Sequence, residues 1–547
     1  MREIFESNPV LRQHQNEALD IIRKIIRKGT GKGKIILPTG TGKTRIEAET
    51  ICAIVKHRED HNKWAGIHVV LSPRILLAYQ QLDEFTTIIA RKGIDFDSGY
   101  KYMVVNSGGL DSSKYEKKLL RLGLSSPEEI DSTTNKAEIR NNIIKSKRAN
   151  VPLIIFSTYH SADRVNEAAT ELGERVVSYI FDEAQYCVTS GDFQNIPDFE
   201  SDFHFFFTAT EKLTNSDNGL GMNNLQKFGK CLFTEKPRTL IERGEMTSIA
   251  LHLVGTRGQN IRDNDYESMA KTVVDAFDKH RTVMKEHSSD PDNIGPKMII
   301  VCDKQESLKG MMRSRVLKDY RSLNPTINLC ALSSDYGIEI NGKYDPRVNN
   351  RNKEILLLKL RGLASNDEAI VFHVDMIAEG IDVPGITAVM PFRSLGQIKL
   401  LQNVGRGTRL VDKDRKRLYN KSILPKEWKK YVKPFCWLIL PVISSEYYDT
   451  KRRYSDYVYA LRSDYGFNSG ELVIIDNIIG PPEDKPLIDM AGGLSRKFST
   501  GAGLIGEIIH GIEDAEAMSA FLEHSFTFNT LSPTKQITML KKVYAKQ

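Results

Sequence analysis

The sequence lacks most of the features that mark secreted, membrane and zinc-binding proteins. Its 547 residues include 6 cysteines, which are widely spaced and form no CxxC pair. This usage fits a reducing compartment and gives no zinc signature. The longest apolar run, residues 434–443, is about half of the roughly 20 residues that a membrane-spanning helix needs. The first residues, MREIFESN, are charged and lack the apolar core of a secretory signal. We therefore expect an intracellular protein without a membrane partner, located in the cytoplasm or nucleoid, or in the nucleus or mitochondrion of a eukaryote.

Net charge is also small. Lys and Arg exceed Asp and Glu by 77 − 70 = 7, so any polyanion site must come from local clustering of charge. Apolar residues make up 40% and charged residues 27% of the chain, which fits a folded globular protein and argues against a disordered one. The length corresponds to roughly three to four domains, and no repeat of solenoid period is visible.

Short apolar runs alternate with helical patterns over most of the chain. Continuous runs of this kind are typical of strands buried on both faces, as in parallel sheets covered by helices. The alternation predicts an α/β fold, and the number of strands predicts two α/β lobes. The predicted strands are Lys34–Leu37, His68–Leu71, Leu153–Phe156, Val176–Phe181, Phe203–Phe207, Met298–Val301, Ala369–Phe372, Ala388–Met390 and Cys436–Leu440.

Two breaks in this pattern predict the domain boundaries. The first is the polar segment Thr234–Met246, and the second follows Pro441, where the strand pattern fades. A polar, charge-rich stretch at about 108–150 is predicted to be an insertion in the first lobe. Helical periodicity from about residue 514 to residue 543 predicts an α-rich C-terminal extension, whose role the sequence does not indicate. The predicted domains are residues 1–240, 241–445 and 446–547.

The segment IILPTGTGKTRIEAE predicts a phosphate-binding loop. An apolar strand runs into Pro38–Thr44, and a helical pattern follows directly. Glycines allow backbone N–H groups to wrap around a phosphate, and the helix N-terminus adds its dipole. Lys43 is placed to reach the β- and γ-phosphates, and the Thr44 hydroxyl is placed to ligate Mg²⁺. Leu37 stands where the strict GxxxxGK[ST] pattern has its first glycine, and a glycine turn with an unrelated lysine is the alternative.

A second segment supports the nucleotide site. The apolar strand Val176–Phe181 ends in Asp182-Glu183-Ala184-Gln185. A phosphate-loop NTPase needs one carboxylate on a neighbouring strand for Mg²⁺ and a group that orients the attacking water. Asp182 and Glu183 fit these two needs. Adjacent acids at a strand end are also common as caps, but the two motifs in this order favour a nucleotide site.

The second lobe contains two candidate catalytic arginines. In the segment LQNVGRGTRL, Arg406 and Arg409 are three residues apart and can share one face of a helix or turn. Arginine is suited to the charge that develops on a transferring γ-phosphoryl group. If they reach a nucleotide held by Lys43, the site lies between the lobes, and hydrolysis would open a closed cleft. Surface ion pairs or a helix cap are the alternative reading.

In this order the motifs resemble those of the superfamily 2 helicases and translocases, over roughly residues 1–445. The motif sequences LPTGTGKT, DEAQ and EGIDVP are similar to those of the DNA-directed branch of this superfamily. That branch includes the motor subunits of type I and type III restriction enzymes and phage or mitochondrial relatives. The matching segments are Leu11–Gln15 (adenine recognition), Pro38–Thr44 (motif I), Ser72–Gln80 (Ia), Ser157–Ser161 (the next strand-contacting motif), Asp182–Gln185 (II), Thr208–Thr210 (III), Met298–Asp303 (IV), Glu379–Asp382 (V) and Gln402–Arg409 (VI).

The resemblance implies two tandem RecA-like domains and nucleic-acid-stimulated hydrolysis of ATP with Mg²⁺. The implied catalytic residues are Lys43, Asp182, Glu183, Arg406 and Arg409. The implied nucleotide contacts are Arg12, Gln15, Thr39, Gly40, Thr41, Gly42, Lys43, Thr44, Gln185, Gly380, Asp382 and Gln402, with Gln15 reading the base edge. The implied Mg²⁺ ligands are Thr44 and Asp182, and the implied nucleic-acid contacts are Pro73, Arg74, Ser157 and Thr158. Gln185, Thr208 and Thr210 would couple the nucleotide state to nucleic acid.

The expected activity is that of an ATP-dependent helicase or translocase, monomeric and acting on DNA rather than RNA. One alternative is the motor subunit of a restriction or nuclease assembly in which a partner supplies cleavage. Another is an ATP-gated nucleic-acid clamp or an RNA helicase. The presence of Glu183 and both arginines favours an active enzyme. A nuclease, recombination or repair protein is the expected kind of protein partner.

A basic segment at residues 413–433 is a further candidate for nucleic-acid binding. Its sequence, KDRKRLYNKSILPKEWKKYVK, has nine Lys and Arg residues against Asp414 and Glu427, with aromatic residues between them. This mixture suits phosphate neutralisation and base stacking. A solvated surface with no ligand is the equally simple alternative.

Overall fold

The structure is a computed structural model. It describes residues 11–90, 99–106, 132–189, 191–214, 219–255, 265–302, 304–333, 336–346, 360, 362–374, 385–392, 397–442, 465 and 473–476. The predicted motif V, residues 379–382, and the predicted helical pattern at residues 514–543 lie outside these ranges. None of the described helices is long and apolar enough to cross a lipid bilayer.

The described elements alternate between strand and helix along the chain, as the apolar pattern predicts. The helices are α1 (Gln13–Ile26), α2 (Lys43–Asp60), α3 (Ile75–Ala90), α4 (Lys136–Ala149), α5 (Ala162–Glu171), α6 (Tyr186–Thr189), α7 (Leu225–Phe228), α8 (Pro237–Glu242), α9 (Tyr266–His287), α10 (Gln305–Arg313), α11 (Arg315–Leu323), α12 (Gln397–Gly407) and α13 (Asp412–Tyr419). The strands are β1 (Gly31–Ile36), β2 (Ile67–Ser72), β3 (Lys101–Val105), β4 (Ser132–Thr133), β5 (Leu153–Thr158), β6 (Val176–Phe181), β7 (Ser201–Thr208), β8 (Lys230–Thr234), β9 (Ser248–Gly255), β10 (Lys297–Val301), β11 (Asn328–Ser333), β12 (Gly337–Ile340), β13 (Lys343–Asp345), β14 (Ala369–His373), β15 (Ala388–Pro391), β16 (Phe435–Val442) and β17 (Val473–Asp476).

The first lobe is built on a parallel sheet with the strand order β4-β3-β5-β2-β6-β7-β1-β8. Alternate side chains of its central strands enter two apolar cores, one on each face. Val70 and Phe205 pack on the face covered by α1, α2 and α3, whereas Leu71 and Phe206 pack on the face covered by α4 and α5. Burial on both faces explains why these strands read as continuous apolar runs.

The second lobe has its own sheet, in the order β13-β12-β11-β14-β10-β15-β16-β9-β17. Its pairs are parallel except β11 with β12 and β12 with β13. A separate apolar core of α9, α10 and central-strand residues packs against it. The two sheets confirm the predicted α/β class with two lobes.

The structure contains elements that the sequence did not predict. One is a strand in the C-terminal extension, and another is a helix that contributes to the core of the first lobe. β17 lies within the predicted C-terminal extension and pairs in parallel with β9. The stretch predicted as a charged insertion contains α4, which buries Ile139 and Ile143 in the core.

The register of the first sheet brings the polar motifs to one edge. Ile36 pairs with Thr208, Phe206 with Phe181, and Ser72 with Thr158. Because parallel strands end on the same side, the loops after β1, β2, β5, β6 and β7 all open at this carboxyl edge. Ligands of open α/β sheets bind at such an edge.

Candidate nucleotide site

The loop between β1 and α2 has the geometry of an anion site. Gly40 and Gly42 have φ angles of 86° and 83°, in the left-handed region that glycine adopts without steric cost. Thr41 is buried, and its hydroxyl donates to the carbonyl of Pro38 at 2.8 Å. Lys43 begins α2, and its Nζ donates to the carbonyl of Leu37 at 3.3 Å. A glycine-shaped loop at a helix N-terminus is suited to phosphate.

Leu37 occupies the position that departs from the strict phosphate-loop pattern. It is fully buried, and its N–H donates to the carbonyl of Thr208 at 2.9 Å. The residue therefore extends the pairing of β1 with β7 and packs in the core.

The N-terminus of α1 braces the phosphate loop. The Gln15 Oε1 accepts the N–H of Arg12 at 3.0 Å, and the Gln15 Nε2 donates to the carbonyls of Thr41 at 3.1 Å and Gly42 at 3.4 Å. His14, for which the sequence indicated no role, is fully buried and places its Nε2 at 3.0 Å from the same Thr41 carbonyl. The predicted adenine-recognition element thus contacts the loop directly.

Cations from both lobes surround this loop. Burial lowers the pKa of Arg12 to about 10, nearby Arg415 and Arg409 lower it further, and Glu245 raises it. An Arg12 guanidinium nitrogen lies 3.3 Å from the position a Cβ on Gly42 would take. Clustered positive charge of this kind attracts a polyphosphate.

The adjacent acids after β6 are held in different ways. Asp182 accepts hydrogen bonds from Gln81 Nε2 at 2.9 Å and from the N–H of Glu183 at 2.9 Å. Burial and the neighbouring Glu183 raise the pKa of Asp182 to about 7, while Lys43 lowers it. Glu183 has a φ of 51°, which is uncommon for a residue with a Cβ and marks local backbone strain. Its Oε2 accepts from Gln185 Nε2 at 2.8 Å.

A buried acid that the sequence did not single out adds a third carboxyl group to the site. Glu47, one turn after Lys43 in α2, is fully buried, and neither of its carboxylate oxygens has a hydrogen-bond partner among the described residues. Burial and then Asp182 raise the pKa of Glu47, and Lys43 lowers it. Several carboxyl groups around a single lysine favour a divalent cation. Mg²⁺ is commonly held by one or two carboxylates plus substrate phosphates, so Thr44 and Asp182 fit such an ion.

Hydrogen bonds connect the acids to the ends of neighbouring strands. Thr208 donates its hydroxyl to Gln185 Oε1 at 2.7 Å and accepts the N–H of Thr210 at 3.1 Å. The Tyr159 hydroxyl donates to the carbonyl of Asp182 at 2.8 Å. On the other side, Gln81 also bonds to the hydroxyl of Ser72. The network therefore joins motif II to motif III and to both predicted nucleic-acid motifs. Gln81 and Tyr159 are connections that the sequence did not reveal.

The second lobe reaches the phosphate loop through the end of α12. A Cβ built on Gly40 would lie 2.7 Å from Arg409 Cγ, and one built on Gly405 would lie 3.2 Å from Thr39 Cβ. Arg406, in α12, is 5% exposed. Gln402 is half-buried in the same helix. Arg409 thus packs directly against the loop that precedes Lys43, whereas the predicted contacts Gly380 and Asp382 lie outside the described residues.

The predicted nucleic-acid residues lie at the same edge of the first sheet. Pro73 and Arg74 follow β2 and are half-buried. Ser157 and Thr158 end β5, and both side chains are buried. Their hydroxyls donate to the Thr158 carbonyl at 3.1 Å and to the Ser161 hydroxyl at 3.3 Å, respectively. These two side chains bond within the protein.

The basic segment at 413–433 lies beside the connection between the two sheets. A Cβ built on Gly244 would lie 3.0 Å from Leu418 Cδ2. Several cations of the basic segment form ion pairs: Lys413 with Asp290, Arg415 with Asp412, and Lys430 with Glu427. Lys433 is 1% exposed. Lys413, Arg415 and Lys430 are therefore already paired with carboxylates within the protein, and Lys433 is buried.

The fold defines a class, that of proteins with two tandem RecA-like domains. Residues 8–213 match the family model described as "Type III restriction enzyme, res subunit". This match and the fold confirm the resemblance to superfamily 2 helicases and translocases. No curated protein matches the chain.

Solved structures with similar folds cover most of the chain. The ATP-dependent type ISP restriction-modification enzyme LlaBIII bound to DNA is 17% identical, with a TM-score of 0.56, over 91% of this chain and 33% of that one. A nuclease-deletion mutant of the type ISP enzyme LlaGI, in complex with a DNA substrate mimic, is 16% identical, with a TM-score of 0.53, over 95% and 33%. A fragment of a putative HsdR subunit of a type I restriction enzyme from Vibrio vulnificus YJ016 is 18% identical, with a TM-score of 0.50, over 86% and 70%. The chain spans about a third of the length of each type ISP enzyme.

Proposed function

We propose that the protein is an ATP-dependent DNA translocase or helicase that hydrolyses ATP between two RecA-like domains. The observation that carries this proposal is the packing of Arg409, from the second lobe, against Gly40 of the phosphate loop. When both lobes form one site, the presence or loss of the γ-phosphate changes how they fit together. Hydrolysis then produces movement along a strand.

Each predicted residue has a role in this proposal. Lys43 and the loop amides bind the phosphates, and Glu183 orients and deprotonates the attacking water. Arg409 and Arg406 stabilise the charge that develops on the γ-phosphoryl group. The remaining nucleotide contacts are Arg12, Gln15, Thr39–Thr44, Gln185, Gly380, Asp382 and Gln402. Thr44 and Asp182 hold Mg²⁺, which when bound neutralises charge on the β- and γ-phosphates.

Nucleic acid is proposed to cross the carboxyl edge near Pro73, Arg74, Ser157 and Thr158. Phosphate contacts at such positions fix the strand without reading its sequence. The hydrogen bonds of Gln81 and Tyr159 to Asp182 support a direct link from these segments to the hydrolytic site. We also propose the domain division 1–240, 241–445 and 446–547, in which β17 of the third segment adds a strand to the sheet of the second, and a monomer that acts on intracellular DNA.

A comparison of nucleic-acid stimulants tests the proposal. The full chain is assayed for ATP turnover with single-stranded, duplex and forked DNA and with RNA. DNA should stimulate turnover more than RNA, and Lys43→Ala should reduce it by about 10²–10³-fold, because a group that stabilises phosphate charge is lost. The exposed lysine at position 28 supplies the control variant, Lys28→Ala, which should match the wild type. Turnover of Lys43→Ala equal to wild type would refute the phosphate-site assignment.

A second candidate is the motor subunit of a restriction or nuclease assembly. The fold similarity to type ISP and type I restriction proteins, and the chain's span of 33% of each type ISP enzyme, support it. In that case a partner supplies cleavage, and the motor alone translocates. Incubating DNA with ATP and the purified chain, alone and with proteins that co-purify from its source, separates the two. Cleavage only in the second mixture favours the motor subunit, and co-purification of a recombination or repair protein favours a different assembly.

A further inference from the structure

The backbone that carries Arg409 is held at three successive residues. The carbonyls of Gly407 and Arg409 both accept hydrogen bonds from the Nζ of Lys433, the first at 2.7 Å. Between them, the carbonyl of Thr408 accepts the N–H of Thr247 at 2.8 Å. The last carbonyls of a helix have no partner within it, and α12 ends at Gly407. These contacts therefore supply the missing donors and restrict the main chain at Arg409.

Lys433 is an unusual residue to find in this position. It is 1% exposed, and its Nζ donates also to the carbonyl of Ile386 at 3.2 Å. Burial of a charged group costs free energy unless hydrogen bonds compensate for it, and burial lowers the pKa of Lys433 to about 8. The three carbonyl acceptors, together with the negative end of the α12 dipole, offset this cost.

A second buried charge fixes the backbone of Lys433 itself. Asp414, in α13, is fully buried. Its two carboxylate oxygens accept the N–H groups of Val432 at 2.8 Å and Lys433 at 2.9 Å. The Lys433 side chain therefore extends from main chain that is fixed just before β16 toward the end of α12. Asp414 and Lys433 act as one brace between β16 and the arginine segment, residues 406–409.

We infer that Lys433 is a positioning residue for hydrolysis, which holds the arginine segment in the place from which Arg409 meets the phosphate loop. Its ammonium group contacts main-chain carbonyls, and its effect on the nucleotide passes through Arg409. The inference rests on the proposed function, because the placement of Arg409 affects turnover only if both lobes form the site. A misplacement of catalytic groups of about 1 Å costs on the order of 10²-fold in rate.

Loss of a buried lysine also destabilises a fold, and a matched control separates this effect from positioning. Lys297, in β10 of the same lobe, is 2% exposed, and its Nζ donates to the carbonyl of Ser365 at 3.0 Å. Burial lowers the pKa of Lys297 to about 8 as well. Lys297→Met and Lys433→Met thus remove equivalent charges, but only Lys433 is bonded to the arginine segment.

The experiment compares both variants in the full chain with saturating DNA. Lys433→Met should lower kcat by about 10–100-fold while KM for ATP and the affinity for ADP change by less than about threefold. Affinity for ADP with aluminium fluoride, a transition-state analogue, should fall in proportion to kcat. Lys297→Met should keep kcat and analogue affinity near wild type even where its Tm falls.

Two results would overturn the inference. One is an unchanged kcat and analogue affinity in Lys433→Met, and the other is an equal loss in both methionine variants. If Lys433→Met does not fold, Asp414→Asn is measured instead, because it removes one acceptor of the same brace. It should show a smaller loss with the same selectivity for the analogue, and unchanged analogue affinity would overturn the inference. Failure of DNA to stimulate the wild type would instead overturn the proposed function.

Discussion

Asp182 and Glu183 are adjacent carboxylates, and their different surroundings suit the different roles proposed for them. Asp182 is held at both oxygens, by the amide of Gln81 and by the N–H of the next residue. A rigid carboxylate at the end of a strand is suited to a metal ion. Glu183 sits on a strained backbone and is oriented by Gln185. Strain of this kind persists where the surrounding structure requires a special placement.

Glu183→Gln tests this division of roles. An amide of nearly the same shape cannot accept a proton, so turnover should fall by about 10²–10⁴-fold. Binding of ATP should be retained, because Lys43 and the loop are unchanged. Steady-state turnover and equilibrium ATP binding measure the two effects. Glu59→Gln, on the exposed end of α2, serves as the control. Near-normal turnover in Glu183→Gln would show that Glu183 is not the general base.

Residues whose placement is set by local chain geometry were predictable from the sequence. The glycine loop before α2 and the acid pair after β6 each consist of neighbouring residues at the end of an apolar strand. His14, Gln81 and Tyr159 were missed because each acts through a contact far away in the chain. Gln81, for example, lies 101 residues from Asp182. A glutamine on a helix has no local feature that indicates such a partner.

The same distinction holds for whole elements. Each predicted strand overlaps an observed one, because the search for continuous apolar runs detects strands buried on both faces. Not every missed strand is peripheral, since β11 (NLCALS) is buried inside its sheet. The missed strands β8 (KCLFT) and β13 (KYD), in contrast, lie at sheet edges and are largely exposed or half-buried. With one open side, such strands need no continuous apolar run.

The basic segment provides a test at the level of one element. Because Lys413 and Lys430 are paired with Asp290 and Glu427, Lys413→Gln with Lys430→Gln should leave the salt dependence of DNA binding unchanged. Arg74→Gln, at the predicted nucleic-acid surface, should reduce the slope of log K against log salt by about 0.7–0.9, the value for one phosphate contact. Binding titrations at several salt concentrations measure both slopes. A reduced slope in the double lysine variant, with an unchanged slope in Arg74→Gln, would indicate that residues 413–433 bind nucleic acid.

At the contact between α12 and the phosphate loop, a substitution of Gly405 should change stability and activity in opposite directions. Gly405 lies inside α12, where alanine is favoured over glycine by about 1 kcal/mol, but a Cβ there would meet Thr39 Cβ at 3.2 Å. Gly405→Ala should therefore keep or raise Tm while lowering kcat several-fold, because the lobes must shift apart by a few tenths of an ångström. Gly405→Val should lower kcat more. Thermal unfolding and ATP turnover, measured on the same samples, test this. Full turnover in Gly405→Val would contradict the close approach of the lobes.

Each lobe folds around its own core, and each contains buried histidines that affect stability in acid. His68 and His204 lie in the first lobe and His280 in the second. Burial lowers the pKa of His68 and His280 to about 3 and that of His204 to about 4. His280 Nε2 lies 2.8 Å from the hydroxyl of Thr387, so the neutral ring is accommodated by a hydrogen bond.

These histidines predict a loss of stability below about pH 6.5, the ordinary pKa of histidine. The folded state keeps them neutral while the unfolded state binds protons, so their contribution is complete above pH 6.5 and falls as the pH decreases toward the folded pKa values. Between about pH 7.5 and about pH 5.5, one such histidine removes about 1.4 kcal/mol from the free energy of unfolding.

His280→Gln should thus lose about 1.4 kcal/mol less of its free energy of unfolding than wild type over this interval, whatever its stability at neutral pH. His61→Gln, at an exposed position, should behave as wild type. Urea unfolding followed by tryptophan fluorescence measures the difference. Trp437, whose ring centroid lies 6.3 Å from that of His280, reports on the second lobe. Equal losses in wild type and His280→Gln would show that His280 binds a proton in the folded state as readily as in the unfolded one.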